Sequence, residues 1–352
     1  MWRKFIPVLI AFSLFGQTQA DVIKIGAYAT QGFQADMKKW QPTADYLTQQ
    51  LPNHYFQVLP YSNIDELHAD AARGKFDFIL THPASYIELE HQLGAQRILT
   101  LNNLHQGKTQ NQLSTVIFTR ADNQQIDKLR DLKNQSLMAS DKHDFAGWQL
   151  AWHELHKQGF NPQNDLGSLQ FATGSAKEIV FAVQNGQVAA GVIQATHLER
   201  LAEQNLIQLE NFKILNSKQN DTFNFLHSST LYPEWPLARF QHTPNQLAHE
   251  VAVTLMSLPQ QHIAAKQGQY SGWIVPMNYQ PVRELMQELQ IGPYKTNALA
   301  QAEIIQFAQH YGIWLLTATL LILSIIMLAW LTFKLQRRLS RLASVDNNLR
   351  TA

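Results

Sequence analysis

Short apolar runs alternate with longer stretches in which apolar residues recur every three or four positions, from residue 21 to about residue 200. This pattern predicts strands that are each followed by a helix, in a mainly parallel sheet that helices cover on both faces, so the predicted fold class is α/β. The predicted strands are 22–27, 56–60, 76–81, 114–119, 136–139 and 189–193, and the predicted helices are 40–51, 64–73, 84–93, 147–158 and 176–184.

Two segments of the chain share the same order of elements. Residues 74–86 and 186–198 each follow a predicted helix and contain a glycine turn, an apolar strand, a polar residue at the strand's end and the start of a new helix. In open α/β sheets, ligands bind beyond the carboxyl ends of the strands. The pattern therefore predicts that His82 and Gln194 face each other across a cleft between two such sheets, although any two βα units could share this likeness by chance.

The amino terminus carries a charged start and a short apolar run. Arg3 and Lys4 precede the apolar residues 5–15, and small residues occupy the end of the segment at 18–20. This order is typical of a signal peptide, and the apolar run is short for a membrane span. Residues 1–20 are therefore predicted to be a cleaved signal peptide, with an uncleaved anchor helix as the alternative.

A second apolar run lies near the carboxyl terminus. Residues 313–333 contain no charged side chain, and a helix of 21 residues covers a hydrocarbon core of roughly 30 Å. Lysine and arginine follow this run at 334, 337, 338 and 341, while residues 307–312 carry neither. The positive-inside rule then predicts a single-pass protein of the cytoplasmic (inner) membrane, with its amino-terminal domain in the periplasm.

The tail at 334–352 has apolar residues at a spacing close to a heptad. They are Leu335, Leu339, Leu342, Val345 and Leu349. This spacing predicts a short coiled coil that would pair two copies of the chain, and a basic helix lying on anionic lipid is the alternative.

Composition excludes several classes of function. The 352 residues carry a net charge of +1, which gives no electrostatic basis for binding nucleic acid. The absence of cysteine excludes disulfides, thiolate metal sites, cysteine nucleophiles and a lipoprotein anchor. His153 and His156 have the spacing of a helical metal pair but lack an obvious third ligand, and neither a nucleophile elbow nor a P-loop occurs. We expect a protein that is not an enzyme and has no metal or other cofactor.

Five segments resemble the phosphonate-binding branch of the periplasmic solute-binding proteins, and they are most similar to the periplasmic sensor region of tetrathionate-sensor-type histidine kinases. These segments are 25–28, 40–47, 77–86, 144–148 and 272–282. The resemblance extends over most of residues 21–335 and implies a two-lobe (type II) solute-binding fold in residues 21–310 that closes on a small anion. It implies a first lobe of about 21–112 and 213–295, a second lobe of about 113–212, and hinge strands near 113–119 and 212–215.

The loop before the helix at Gly147 carries most of the chemistry that the resemblance implies. In phosphonate binders this loop resembles Ser-Thr-Ser-Gly, whereas here it is Asp144-Phe145-Ala146-Gly147. The serine hydroxyls are missing, and Asp144 would cap the helix with its own carboxylate and repel a charge-dense dianion. This difference argues against phosphonate or phosphate and favours a sulfur oxyanion.

The predicted ligand-binding residues combine this loop with polar and aromatic side chains at the strand ends. They are Tyr28, His82, Tyr86, Asp144, Phe145, Ala146, Gly147, Trp148, Gln194 and Thr196. For His82 the alternative is a helix cap, and for the two tyrosines it is packing against the core. Trp152, Trp273 and Tyr279 are expected to be structural.

The function predicted from these features is a membrane-anchored sensor domain that binds a small anionic solute and signals through its membrane helix. It would need a signalling partner, either a kinase or another output protein, or it would be the truncated amino-terminal part of a sensor kinase. The alternatives are the substrate-binding component of a phosphonate/phosphate-type ABC transporter and an assembly protein with a filled cleft.

Overall fold

The computed structural model describes residues 21–30, 32–172, 175–295 and 319–337, and it divides into one unit up to Tyr294 and a second from Lys295 onward. The predicted signal peptide lies outside the described residues. The strands are β1 (Asp21–Tyr28), β2 (His54–Tyr61), β3 (Phe78–Leu80), β4 (Gln96–His105), β5 (Lys108–Gln110), β6 (Gln112–Leu113), β7 (Thr115–Arg120), β8 (Ser136–Ala139), β9 (Ser168–Phe171), β10 (Ala190–Gln194), β11 (Phe212–Leu215), β12 (Tyr232–Pro233), β13 (Pro236–Arg239) and β14 (Tyr270–Ile274).

The helices connect these strands in chain order. They are α1 (Phe33–Gln50), α2 (Ile64–Ala72), α3 (Pro83–Leu93), α4 (Leu150–Lys157), α5 (Pro162–Asp165), α6 (Ala176–Gln184), α7 (His197–Glu203), α8 (Asn245–Met256), α9 (Ile263–Gly268) and α10 (Gln280–Glu288), with α11 (Thr319–Arg337) in the second unit. A π-helical turn, Phe145–Gln149, leads directly into α4, and short 3₁₀ turns occupy Leu129–Leu132, Leu209–Asn211 and Gly292–Tyr294.

The first sheet has the strand order β14-β4-β13-β3-β1-β2, with β5 paired to β4. Strands β1, β2 and β3 run parallel, whereas β13 and β14 pair antiparallel to their neighbours. The prediction of a mainly parallel sheet is therefore correct only for the amino-terminal strands. The sheet is mixed because the chain returns to it late and inserts β13 between β3 and β4.

The second sheet has the order β11-β7-β10-β8-β9, in which β8, β9 and β10 are parallel and β7 and β11 are antiparallel. Phe212–Leu215 pairs with β7 inside this sheet, so the predicted lobe boundary at residue 213 comes too early. The apolar strand is retained there because it completes the second core, where the rings of Phe118 and Phe212 lie 5.5 Å apart. The chain instead crosses between the sheets at β6 and β12, which pair with each other. These two short strands connect the lobes, so Leu113 of the predicted hinge segment 113–119 lies in the connection, whereas 212–215 does not.

Both faces of the first sheet are covered by helices. One face packs against α1, α8 and α9 through Trp40, Leu47 and Trp273, and the other packs against α2, α3 and α10 through residues that include Ile79 and Tyr279. Trp273 and Tyr279 are buried in these cores, as their assignment to structural packing predicted.

A buried histidine joins the second lobe to the first. The Nε2 atom of His153, on α4, lies 2.7 Å from a carboxylate oxygen of Glu288 on α10, and its Nδ1 lies 3.3 Å from the hydroxyl of Tyr232 on β12. Because a carboxylate only accepts, Nε2 carries the proton and Nδ1 accepts from the tyrosine. Burial lowers the pKa of His153, which keeps the ring neutral in this arrangement. His153 is thus bonded across the lobes rather than paired with His156.

Helix α11 is long and apolar enough to cross a membrane. Its described part, Thr319–Arg337, includes residues 319–333 of the predicted span at 313–333, and residues 313–318 lie outside the described residues. The hydroxyls of Ser324 and Thr332 donate to carbonyls three residues earlier, at 2.8 and 2.9 Å, so neither hydroxyl is left without an acceptor in an apolar environment. The predicted coiled coil lies mostly beyond residue 337, outside the described part of the chain, and remains a prediction.

Candidate functional site

His82 combines the two roles that its position after β3 allows. Its Nδ1 accepts a hydrogen bond of 3.2 Å from the backbone N–H of Ser85, which caps the first turn of α3. A neutral ring that accepts at Nδ1 carries its proton on Nε2, and this buried Nε2 has no partner among the described residues. Burial, with smaller contributions from the charges of His68 and His143, lowers the pKa of His82 to about 3. His82 therefore offers one uncharged N–H donor that nothing in the described chain satisfies.

Two aromatic rings surround this donor. The ring of Tyr28, at the end of β1, lies 5.4 Å from the ring of His82 in an edge-to-face arrangement, and Trp235 stacks on Tyr28 at 6.2 Å. Burial, followed by the nearby carboxylates of Asp144, Asp141 and Asp36, raises the pKa of Tyr28, so its phenol stays protonated. We call Tyr28, His82 and Trp235 the aromatic half of the cleft.

The loop before α4 is held by hydrogen bonds between its own residues. One carboxylate oxygen of Asp144 accepts from the Gly147 N–H at 2.9 Å, and the other accepts from the Ser140 hydroxyl at 2.8 Å. The predicted cap by Asp144 is present, and the N-terminus of this helix already holds an anionic group. Burial raises the pKa of Asp144. A side chain at position 147 would overlap the Ser140 hydroxyl, so Gly147 is required by the cap itself.

Three other predicted ligand residues pack into the hydrophobic cores. Tyr86 is fully buried, with its hydroxyl donating to Glu90 at 2.6 Å and its ring 5.4 Å from that of Tyr279. Phe145 is also fully buried and packs edge-to-face on Tyr232. Trp148 lies in the core of the second lobe. We correct the prediction for these side chains, because neighbouring elements cover the faces that the sequence left open to a ligand.

The remaining predicted residues sit where the strand-end pattern predicted. Gln194 ends β10 opposite Thr115 and is half-buried, and Thr196 adopts a left-handed backbone with φ of 83° just before α7. Ala146 is buried in the same core as Phe145. Whether Gln194 and Thr196 contact a ligand stays a prediction.

A group of basic side chains in the cleft was missed by sequence reasoning. Lys39 on α1, His105 at the end of β4, and His197 and Arg200 on α7 come from both lobes, and each is half-buried. Burial lowers the pKa of all four, and the Arg200 charge further lowers the pKa of Lys39, His105 and His197. We call these four residues the cationic half of the cleft.

The two halves of the cleft adjoin. Glu234 is buried, accepts from the backbone N–H of Trp235 at 3.0 Å, and interacts electrostatically with Lys39. Burial raises the pKa of Glu234. Glu234 and Trp235 are consecutive in the chain, so the residue that interacts with Lys39 is the sequence neighbour of a residue of the aromatic half.

A separate cavity of about 420 Å³ lies at the flank of the lobes, between α4 and the end of α10. It is lined by residues that include Trp152, His156, Phe160 and Glu288. The Glu288 carboxylate is already engaged by His153, and the buried unpaired donor of His82 is not part of this cavity. The cleft, rather than the flank, therefore has the features of the solute site.

Comparison with known proteins shows the family and the fold. Residues 26–280 match the family described as ABC transporter, phosphonate, periplasmic substrate-binding protein. The tetrathionate sensor histidine kinase TtrS of Salmonella typhimurium is 28% identical over 236 residues, which cover 67% of this chain and 39% of that protein.

Solved structures share the fold at low identity. PhnD1 from Prochlorococcus marinus in complex with methylphosphonate superposes with a TM-score of 0.60 at 15% identity, covering 77% of this chain and 99% of that one. A binding protein component of an ABC phosphonate transporter from Pseudomonas aeruginosa gives the same score and identity, with 83% and 95% coverage. The chain belongs to the family of periplasmic substrate-binding proteins of the phosphonate ABC-transporter type.

Proposed function

We propose that this chain is a membrane-anchored sensor whose periplasmic domain binds a small oxyanion in its cleft and signals through α11. The proposal rests on the Nε2–H of His82, a buried donor without a partner among the described residues, beside the protonated phenol of Tyr28. Two fixed neutral donors in a buried site suit oxygen atoms that carry spread negative charge. No reaction of the solute is part of this proposal, so the solute is expected to be recovered unchanged.

A sulfur oxyanion fits this site better than phosphate or a phosphonate. Asp144 already fills the N-terminus of the helix that begins at Phe145, so those backbone N–H groups are not free for a dianionic phosphoryl group. The similarity to a tetrathionate sensor kinase supports the same choice and supports a signalling role.

A ligand panel tests the proposal on the full chain in detergent. Thermal unfolding is followed with tetrathionate, thiosulfate, sulfite, sulfate, phosphate and methylphosphonate. A ligand that binds only the folded state raises its stability by about 2.7 kcal/mol at a hundred times Kd, which such an assay resolves. We expect a shift with a sulfur oxyanion. A shift with methylphosphonate alone would overturn the ligand choice, and no shift at all would overturn solute binding.

Two substitutions of His82 test separately the helix cap formed by Nδ1 and the hydrogen-bond donor at Nε2. His82→Asn places an acceptor where Nδ1 caps α3 but removes the Nε2 donor, whereas His82→Gln places an amide near Nε2 and weakens the cap. We expect the Asn variant to keep its stability and lose about tenfold or more in affinity, and the Gln variant to keep more affinity at lower stability. His249→Ala, at an exposed histidine on α8, is the control. Equal affinity in all three proteins would contradict a ligand contact at His82.

The second candidate is a binding component that delivers solute to an ABC permease, and the family match supports it. The tail at 334–352 distinguishes a sensor from a transport component. Replacing Leu335, Leu339 and Leu342 with glutamine would remove the apolar spacing that a paired coiled coil needs. We expect these changes to abolish ligand-dependent output in cells that carry the chain with its signalling partner, while solute uptake is unaffected. Signalling that survives the changes would contradict a relay through the tail.

A further inference from the structure

The flank cavity lies between the two lobes and has the size of a small-molecule site. Its volume of about 420 Å³ falls within the roughly 300–1,000 Å³ that ligand pockets occupy. One wall comes from α4 and the loop that follows it in the second lobe, and the other comes from the end of α10 in the first lobe. Small-molecule sites occur preferentially at such boundaries. The cavity therefore has both the size and the position of a ligand site, although it lacks the donors of the cleft.

Two aromatic side chains form the apolar wall of this cavity. Trp152 is half-buried and stacks on Trp148, with the ring centroids 6.1 Å apart. It packs against the hydrophobic cores of both lobes, so its indole lies at their boundary. Phe160, which follows α4, is buried in the core of the second lobe and also lines the cavity. Because an indole face attracts cations as well as apolar groups, this wall suits a ligand that has both.

Glu288 gives the cavity a negative charge. One of its carboxylate oxygens accepts from Nε2 of His153 at 2.7 Å, and the other has no hydrogen bond to the described part of the chain. The His153 ring is neutral, so this bond orients the carboxylate without cancelling its charge. The same bond is the main cause that lowers the pKa of Glu288. The carboxylate is therefore ionised at neutral pH, with more than half of its side chain exposed.

The lysines closest to this carboxylate lie outside the cavity lining and have their own partner. Lys157 acts on Glu288 electrostatically, but its ammonium lies 3.1 Å from one carboxylate oxygen of Glu154, whose other oxygen lies 3.3 Å from Lys218. His156 also lines the cavity. With this ring neutral, the Glu288 carboxylate is the one charge among the described lining residues. The charge inside the cavity is therefore negative.

We propose that the flank cavity is a second ligand site, separate from the cleft, and that it binds a small organic cation. The ammonium or guanidinium group of this ligand pairs with Glu288, and its apolar part lies against Trp152 and Phe160. The ligand is opposite in charge to the oxyanion proposed for the cleft, so the inference goes beyond the proposed function. Because the walls belong to different lobes, the bound cation contacts both of them.

Three probes of nearly equal size separate charge from apolar contact. Choline is a cation, 3,3-dimethylbutan-1-ol is its neutral carbon analogue, and 3,3-dimethylbutanoate is an anion with the same branched head. Their affinities for the full chain in nonionic detergent are measured by calorimetry, beside butylguanidinium as a planar cation. We expect choline to bind about tenfold more tightly than the alcohol, and the anion more weakly than either. An alcohol or anion that binds as tightly as both cations, or no binding of either cation at millimolar concentration, would overturn the inference.

Two substitutions assign this binding to the flank cavity. Glu288→Gln removes the charge while its amide oxygen can still accept from His153, and Trp152→Leu removes the indole but keeps an apolar side chain. Each is expected to lower choline affinity about fivefold or more, and Glu288→Gln should not affect the alcohol. The matched control is Glu284→Gln, which removes the same charge one turn earlier on α10 at an exposed position. Equal choline affinity in Glu288→Gln and the unsubstituted chain would contradict a cation at Glu288, whether or not Trp152→Leu folds.

A cation in the cleft is the alternative that the variants also test, since Tyr28 and Trp235 stack there. Choline affinity that falls in Trp235→Leu but not in Glu288→Gln would assign the cation to the cleft and overturn the inference. The two proposals fail on different measurements. The proposed function fails if none of the oxyanions in its ligand panel binds, whereas the flank site fails if neither choline nor butylguanidinium binds.

Discussion

Lowering the pH from 7 to 5 is expected to remove stability that the neutral buried histidines contribute to the binding domain, about 2 kcal/mol of the free energy of unfolding for His82 alone. The cause is a set of histidines that the fold holds in the neutral form. Burial lowers the pKa of each of them, to about 3 for His82 and about 4 for His105. The other members of the set are His68, His153 and His197.

The direction of this change in stability follows from proton binding. In the unfolded chain these histidines titrate near pH 6.5, so below that pH the unfolded state takes up protons that the folded state refuses. Stability is therefore lost as the pH falls below 6.5, down to the folded pKa. His82 contributes about 2 kcal/mol over this interval, and we assign a smaller share to His105 because it is only half-buried.

Urea unfolding of the full chain in detergent at pH 7, 6 and 5, followed by tryptophan fluorescence, measures the effect. His82→Asn should reduce the stability loss between pH 7 and pH 5 by about 2 kcal/mol, because asparagine has no proton to take up in this range. His249→Asn, at an exposed histidine, should leave the slope unchanged. An equal pH dependence in His82→Asn and in the unsubstituted chain would show that His82 does not have the lowered pKa described above.

Replacing Gly147 with alanine is expected to cost about 3 kcal/mol of stability. The new Cβ would overlap the hydroxyl of Ser140 and the carboxylate of Asp144. Relieving the overlap requires these two groups to move, and moving them breaks the cap that Asp144 forms on the helix at Phe145. Both the steric overlap and the lost cap lower the stability of the second lobe.

A double substitution tests this cause. Ser140→Ala removes the hydroxyl that the new methyl group meets first, so Ser140→Ala with Gly147→Ala should be more stable than the sum of the two single losses indicates. Thermal unfolding of the four proteins gives the coupling energy. Additive losses would show that Gly147 is needed for a reason other than contact with Ser140.

The order of strands and helices predicted the positions of the strand ends that the candidate site uses. The end of β3 and the end of β10 could be located from sequence because an apolar strand followed by a polar residue and a helix start is a local pattern. The cap by Asp144 was also predictable, since capping depends on residues within one turn. Local rules therefore located His82, Gln194 and Asp144.

Packing between distant elements could not be predicted in the same way. Tyr86 lies one turn after His82, but α10, almost two hundred residues later in the chain, covers it and removes it from the cleft. His153 and Glu288 are brought together only when the lobes assemble, and no spacing in the sequence relates them. Strand β11 was assigned to the hinge for the same reason, because its partner β7 is not its neighbour in sequence.

The contact between His153 and Glu288 couples solute affinity to any force that displaces α10. Helix α10 is the last α-helix before residue 295, and its final residue holds the second lobe at 2.7 Å. If solute binding favours the lobe arrangement in which this contact forms, it also favours this position of α10. Linkage then requires that any tension or torque on the chain beyond Tyr294 that displaces α10 must weaken solute binding by the same free energy. A sensor of this design would have an affinity set partly by what its cytoplasmic side is bound to.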